Sequence, residues 1–258
     1  TDMADELFRG PETELPAGVR LATAKRGGVT VTRVEIAREG LARPRGRYVT
    51  LEMPSVSVLD ERDTDVIETG AAELRALLPP EGPVLVLGIG NRRVTADALG
   101  PRTAQKILVT MGPQHTLPVR GIRPVAALAP GVSGDTGLTL RQLAAAMVDA
   151  VRPAALICVD SLCSAEAARL GRTIQFSDTG LHPADARHAR HLDAAALGVP
   201  VIAAGIPTLM DADEGADLVL TPRALDSVIA HGSALLAGIL NRALQPRLSV
   251  AQLCWLTG

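Results

Sequence analysis

The sequence predicts an α/β fold, a mostly parallel central sheet covered by helices on both faces, with a strand-rich N-terminal region. Three observations carry this expectation. Short, wholly apolar runs such as "PVLVLGIG" (83–90) and "AALICVD" (154–160) have the composition of strands buried on both faces. Segments with helical spacing of apolar residues lie between them, which is the rhythm of strand–helix–strand units. The first third instead carries runs rich in β-branched residues, with imperfect alternation.

Taken in order, "GGVTVTRVEIAR" (27–38) places Val29, Val31, Val34 and Ile36 in a strand, and "GRYVTLEMP" (46–54) repeats the style and stops at Pro54. "DTDVIETGAAELRALLPP" (63–80) then has helical spacing through Val66, Ile67, Ala71, Leu74 and Leu77 and ends before Pro79. "PVLVLGIG" is a strand ending in glycines, and "GPRTAQKILVTM" (100–111) a helix with Pro101 in its first turn. "PVAALAPG" (124–131) is a strand and "LRQLAAAMVDAV" (140–151) a helix. "AALICVD" is a strand, and "SAEAARL" (164–170) begins a helix with Ser164 as its cap. "TIQFSD" (173–178) and "VPVIAAGIP" (199–207) are further strands. "TPRALDSVIAHGSALLAGILNRAL" (221–244) is the closing helix, with Thr221 as cap and Pro222 at its first position. No internal repeat, low-complexity stretch or linker interrupts this order, so residues 1–258 are read as one domain.

Composition narrows the function. The chain has four aromatic residues, Phe8, Tyr48, Phe176 and Trp255, too few for the stacking platforms that single-stranded nucleic acid needs. A net charge of -2 gives no general electrostatic reason to bind nucleic acid or a membrane surface. The cluster Arg43, Arg45 and Arg47 is short and reads as a solvated face. Cys158, Cys163 and Cys254 follow no zinc spacing, and Cys158 lies in an apolar run as a buried thiol would. With no signal-peptide pattern and no apolar run read as spanning a bilayer, a reducing cytoplasm is the expected compartment.

Asp-Thr-Gly, the tripeptide that carries the catalytic aspartate of pepsin-like proteases, occurs twice, at Asp135 and Asp178. The copies are only 43 positions apart and lie inside an alternating α/β pattern, whereas pepsin-like enzymes are all-β and bilobed. Asp135 therefore reads as a turn or helix-cap residue, and Asp178 stays open because it directly follows a strand. In an open parallel sheet the binding crevice lies at the carboxyl ends of the strands. Asp160 ends "AALICVD", and Asp97 lies in "GIGNRRVTADALGP" (88–101), the loop between a strand and a helix. If those strands are neighbours, the two carboxyls share one edge, where one can act as acid while the other deprotonates a water. The structural alternatives are that Asp97 biases the positive end of a helix and that Asp160 caps one. "GIGN" lacks the third glycine of a dinucleotide turn. His182, in "TGLHP" (179–183), is near a strand end and could be a ligand or an acid/base, whereas His188 and His191 flank a polar loop. No spacing supports a two-histidine metal site.

Several stretches together resemble the germination protease family: "TDMADE", "GRYVTLEMP", "VLVLGIGNRRVTADALGP", "LAPGVSGDTG", "VDSL", "TIQFSDTGLHP", "GVPVIAAGIPT" and "LVLTPRALDSVIA". They run in the family's order and cover nearly the whole chain. The resemblance implies a three-layer α/β/α sandwich related to the hydrogenase-maturation endopeptidases. It implies an aspartate-type endopeptidase, active during spore germination, that cleaves small acid-soluble spore proteins after Glu at sites like Thr-Glu-x-Ala-x-Glu. Its two functional aspartates carry over onto Asp97 and Asp160, with Asp178 and His182 as supporting candidates. It further implies no cofactor and no metal, a homotetramer, and a zymogen that removes its own propeptide in the forespore or spore core. "TDMADE" itself resembles the cleavage site, as the start left by self-cleavage would. Two departures stand out: "ADARHARH" (184–191) replaces a Gly/Ser-rich stretch with a lysine, and "TADALGP" stands where the family has "TPDALGP". Competing expectations are a metal-dependent maturation-type endopeptidase, with Asp97, Asp160 and His182 around an ion, and a non-enzymatic relative.

Overall fold

A computed structural model describes residues 1–8, 15–60, 62–112, 121–182, 191–211 and 218–257. In chain order its strands are β1 (Val19–Arg26), β2 (Val29–Ile36), β3 (Gly46–Glu52), β4 (Val84–Gly88), β5 (Val125–Leu128), β6 (Ala155–Cys163), β7 (Thr173–Ser177), β8 (Val201–Asp211) and β9 (Val219–Leu220). The α-helices are α1 (Thr64–Leu77), α2 (Leu99–Ala104), α3 (Ser133–Thr136), α4 (Leu140–Val151), α5 (Ala194–Leu197), α6 (Leu225–Leu244) and α7 (Val250–Thr257).

All nine strands join one sheet, in the order β1-β2-β3-β7-β8-β6-β4-β5, with β9 on the far end of β8. The half formed by β8, β6, β4 and β5 is parallel. The strand-rich N-terminal region continues the same sheet as an antiparallel meander, joined through β7, which pairs antiparallel with both β3 and β8.

The apolar runs have a direct explanation. Successive side chains on a strand point to opposite faces, and here both faces are covered. Val84 and Val86 of β4 and Ile157 and Val159 of β6 enter one core with α1, α2 and α6. Leu85, Leu87, Leu156 and Cys158 enter a second core with Ala144 and Val148 of α4. The result is the three-layer α/β/α arrangement. Ala4 and Phe8 pack with Val19, Val34, Ile36 and Tyr48 in a third, smaller cluster on the meander.

Boundaries differ from the sequence reading in several places. α6 begins at Leu225 with Ala224 as its N-cap, three residues past Pro222. It is long and apolar enough to cross a membrane by composition, yet 67% of its apolar window is buried in the protein, so it is a core helix. "SAEAARL" forms a 3₁₀ turn at Ala167–Arg169, because Ser164 directs its hydroxyl to Glu6 and to the Glu166 carbonyl instead of capping a helix. α2 stops at Ala104, well short of Met111. β6 runs on past Asp160 to Cys163, because β8 extends beside it.

Candidate functional site

β4 and β6 are adjacent and parallel, so their carboxyl ends lie at one edge of the sheet. Past β4, the Ile89 N–H donates to the Val159 carbonyl at 2.8 Å and prolongs that pairing. The chain then turns at Gly90, whose φ of 119° is open to glycine and whose Cβ, if present, would lie 2.1 Å from the Asp97 carbonyl oxygen. A 3₁₀ turn, Thr95–Asp97, leads into α2. The start of α2 rests on the strand ends: a Cβ on Gly100 would lie 2.2 Å from the Ile89 carbonyl oxygen and 2.3 Å from that of Val159. This close approach places Asp97, just before α2, and Asp160, just after Val159, on the wall of one cavity of about 250 Å³. His182, Tyr48, Arg43 and Asp2 line it too.

Backbone groups orient both carboxylates. The Asn91 N–H donates to Asp97 Oδ2 at 2.6 Å, and the Ser161 N–H donates to Asp160 Oδ1 at 2.8 Å. Thr208 of β8, fully buried, donates its hydroxyl to the Ala96 carbonyl at 3.0 Å and ties the Asp97 turn to the sheet. Ser161, which lines the same cavity, has a buried hydroxyl oxygen with no hydrogen-bond partner among the described residues. Two residues before Asp160 on β6, burial and, less strongly, the charge of Asp160 push the Cys158 thiol's pKa far up, so it stays protonated and inert. Burial also raises the Tyr48 phenol's pKa, and its hydroxyl donates to the Pro44 carbonyl at 2.8 Å.

The remaining candidates divide clearly. His182 faces the cavity, with Nε2 2.9 Å from the Thr179 carbonyl oxygen, 3.8 Å from Asp193 Oδ2, and its ring 5.0 Å from that of His191. Asp178 does not line the cavity. Its carboxylate accepts the Arg47 N–H and Nε–H, each at 2.7 Å, and clips the end of β3 to β7. Asp135 is exposed on α3 and pairs with Arg93 at 3.2 Å. Among the described residues no three or more His, Cys, Asp and Glu side chains converge as a metal site would require. Of the stretch 184–191, only His191 falls within the described residues.

Arg43 corrects the reading of its cluster as a solvated face. Its side chain is 10% exposed, and its guanidinium donates to the carbonyls of Thr1 at 2.6 Å and His182 at 3.0 Å and to Asp2 Oδ1 at 3.3 Å. The sequence carries no local signal for this, because the partners are 41, 42 and 139 positions away. They belong to the cavity and to the segment Thr1–Glu6, which is docked against it. There the Asp2 N–H donates to the Cys163 carbonyl at 2.6 Å, and the Cys163 N–H donates to Asp2 Oδ2 at 2.8 Å. Gln175 of β7 donates to the Asp2 carbonyl at 2.9 Å and accepts the Ala4 N–H at 2.8 Å. Met3, Ala4 and Asp5 are fully buried. Asp5 accepts from Thr50 at 3.0 Å and from Arg169 at 2.8 Å. Glu6 accepts from the Ser164 hydroxyl and, at 2.8 Å, from the Ala165 N–H.

Comparison with known proteins follows the same lines. Residues 4–214 match the family model described as germination protease. The germination protease of Clostridium perfringens (strain SM101 / Type A) is 32% identical over 278 residues, covering 85% of this chain and 86% of the relative. That of Caldanaerobacter subterraneus subsp. tengcongensis is 40% identical over 224 residues, covering 81% of this chain and 67% of the relative. Among solved structures, a NiFe hydrogenase maturation protease from Thermococcus kodakarensis aligns at 16% identity with a TM-score of 0.42, over 67% of this chain and 98% of that one.

Proposed function

This chain belongs to the germination protease family, and from that premise we propose that it is an endopeptidase that cuts small acid-soluble spore proteins after Glu, with Asp97 and Asp160 activating a water. One observation supports the reading most: the two carboxylates line the same cavity, and an acidic peptide segment is already seated beside them. Amide hydrolysis needs a base to take a proton from water and an acid to protonate the carbonyl oxygen and then the leaving nitrogen. Two neighbouring carboxyls that share one proton supply both roles. The ionised member draws the proton from water as its oxygen attacks the scissile carbonyl. The protonated member gives its proton to the developing oxyanion. Collapse of the tetrahedral intermediate expels the amine, which takes a proton from the first carboxyl, while the hydroxyl that re-forms the carbonyl returns its proton to the second. The Asn91 and Ser161 N–H groups keep the pair aimed during these transfers.

The zymogen reading belongs with this one. Set against Thr-Glu-x-Ala-x-Glu position by position, "TDMADE" puts Asp2 where the cleaved Glu stands, and Asp2 is the residue of that segment lining the cavity. On that alignment the bond proposed for self-processing is Asp2–Met3, two residues beyond the start at Thr1 that the resemblance implies. The homotetramer and the forespore or spore-core compartment are part of the same proposal. Trp255, 83% exposed, and Val58, 74% exposed, are apolar surface that an oligomer could cover, and sedimentation checks this.

The decisive experiment incubates the purified protein with a small acid-soluble spore protein and sequences the fragments. Cleavage after Glu is expected, falling by about 10²–10⁴-fold in Asp97→Asn and in Asp160→Asn with the fold retained. Full cutting by the Asp97→Asn protein would end the two-aspartate mechanism.

A further inference from the structure

The docked segment separates contacts that any peptide could make from contacts that only some side chains could make. Gln175 bridges the Asp2 carbonyl and the Ala4 N–H, and the Cys163 carbonyl accepts the Asp2 N–H. Those read backbone alone. The Asp2 carboxylate is different: one oxygen faces the Arg43 guanidinium at 3.3 Å and the other accepts the Cys163 N–H at 2.8 Å. A nearly buried guanidinium with a backbone N–H beside it is a receptor for a carboxylate, and a neutral amide in its place leaves a desolvated cation without its partner. Arg43 is also held by the His182 carbonyl, a contact independent of the docked segment that aims its charge into the cavity.

We infer that Arg43, with the Cys163 N–H, is the residue that selects an acidic side chain on the acyl side of the bond to be cut. This rests on the reading of the cavity as a peptide-hydrolysing site, and takes the chain's own Asp2 as the occupant of that subsite.

The test compares fluorogenic peptides that differ only in Glu or Gln at the first acidic position, cut by the full chain and by Arg43→Gln and Arg43→Lys. The readout is the ratio of kcat/KM for the Glu and Gln peptides within each protein. Competition from the Thr1–Glu6 segment affects both peptides alike and cancels in that ratio. The unaltered protein should prefer Glu by about tenfold to 100-fold, the range for a hydrogen-bonded charge. Arg43→Gln should bring the ratio near one, mainly through KM, and Arg43→Lys should restore part of it. A preference that survives intact in Arg43→Gln overturns the assignment while leaving proteolysis standing. If the unaltered protein cuts neither peptide, fluorescence anisotropy of the same labelled peptides decides. An Arg43-dependent preference for Glu in binding keeps the subsite and removes the protease reading, and its absence removes both.

Discussion

Asp97, Asp135, Asp160 and Asp178 all occupy turn-rich or strand-end sequence, and the partners each one meets in the fold separate them. Asp178 is held by Arg47, whose side chain is 51% exposed, in a pair of the kind worth about 0–1 kcal/mol. Asp178→Asn should therefore lower the melting temperature slightly and change turnover less than about tenfold, the smallest effect expected of a proton-transfer group being ~10². Asp135→Asn, at an exposed pair with Arg93, should change neither, as steady-state assays and thermal melts can check. The donor set also bears on the maturation-type alternative. Asp97 and Asp160 each accept a backbone N–H, and His182 Nε2 lies against a carbonyl oxygen. Cleavage should accordingly survive EDTA, and loss of activity restored by a divalent ion would revive that alternative. The pairing of Asp97 and Asp160 at one edge was legible because each comes after the apolar run of a strand, although β6 itself continues past Asp160 to Cys163. Arg43 was not, because a cation two and four residues from two others looks the same whether it is solvated or folded inward. Only the docking of Thr1–Glu6 across more than 150 residues of intervening chain reveals what it meets.

At the scale of elements, strands buried on both faces were readable from their apolar runs, and most helices from their periodicity. The direction of β7 was not. "TIQFS" alternates polar and apolar residues, a pattern that fits either direction, and its antiparallel pairing with β3 and β8 depends on connections outside those five residues. The short α3 and α5, four residues each, fall below what periodicity can register. α4 is clearer, with Thr139 and Gln142 forming a reciprocal capping box. Thr139→Ala should cost about 0.5–2 kcal/mol in denaturant unfolding and leave the KM of the folded protein unchanged. Gly100 tests how one element positions the chemistry. An added methyl meets two backbone carbonyl oxygens, which cannot rotate away as a side chain would, so α2 must lift from the ends of β4 and β6. Gly100→Ala should destabilise by about 1–3 kcal/mol. It should also lower kcat in the protein that remains folded, because Asp97 moves with the helix while Asp160 stays in its strand. An unchanged kcat would mean that the closeness of α2 to the strands does not set the geometry of the pair.

For the molecule as a whole, the question is how a cavity already holding an acidic segment of its own chain becomes available. Thr1–Glu6 is bound through its backbone and through Asp2, Asp5 and Glu6, with Met3, Ala4 and Asp5 fully buried, so it is an occupant integrated with the fold. Its Asp2 lines the same cavity as Asp97 and Asp160, which is where we propose that Asp2–Met3 is cut. Cutting would free the residues before Met3, and with them the carboxylate facing Arg43, while the buried remainder stayed packed against the meander. A carboxyl pair works only when it carries about one proton, and mild acid supplies it. A precursor extended upstream of Thr1 should therefore convert itself at mildly acidic pH, with Met3 as the new N-terminus by Edman sequencing. Conversion should be first order and independent of protein concentration if each chain cuts its own segment. Asp97→Asn and Asp160→Asn precursors should remain whole, and mixing them with the active protein separates cutting within a chain from cutting between chains. Equal processing in both mutants alone would mean that another protease makes this end. A new N-terminus anywhere but Met3 would mean that Asp2 is held in the cavity without being read as substrate.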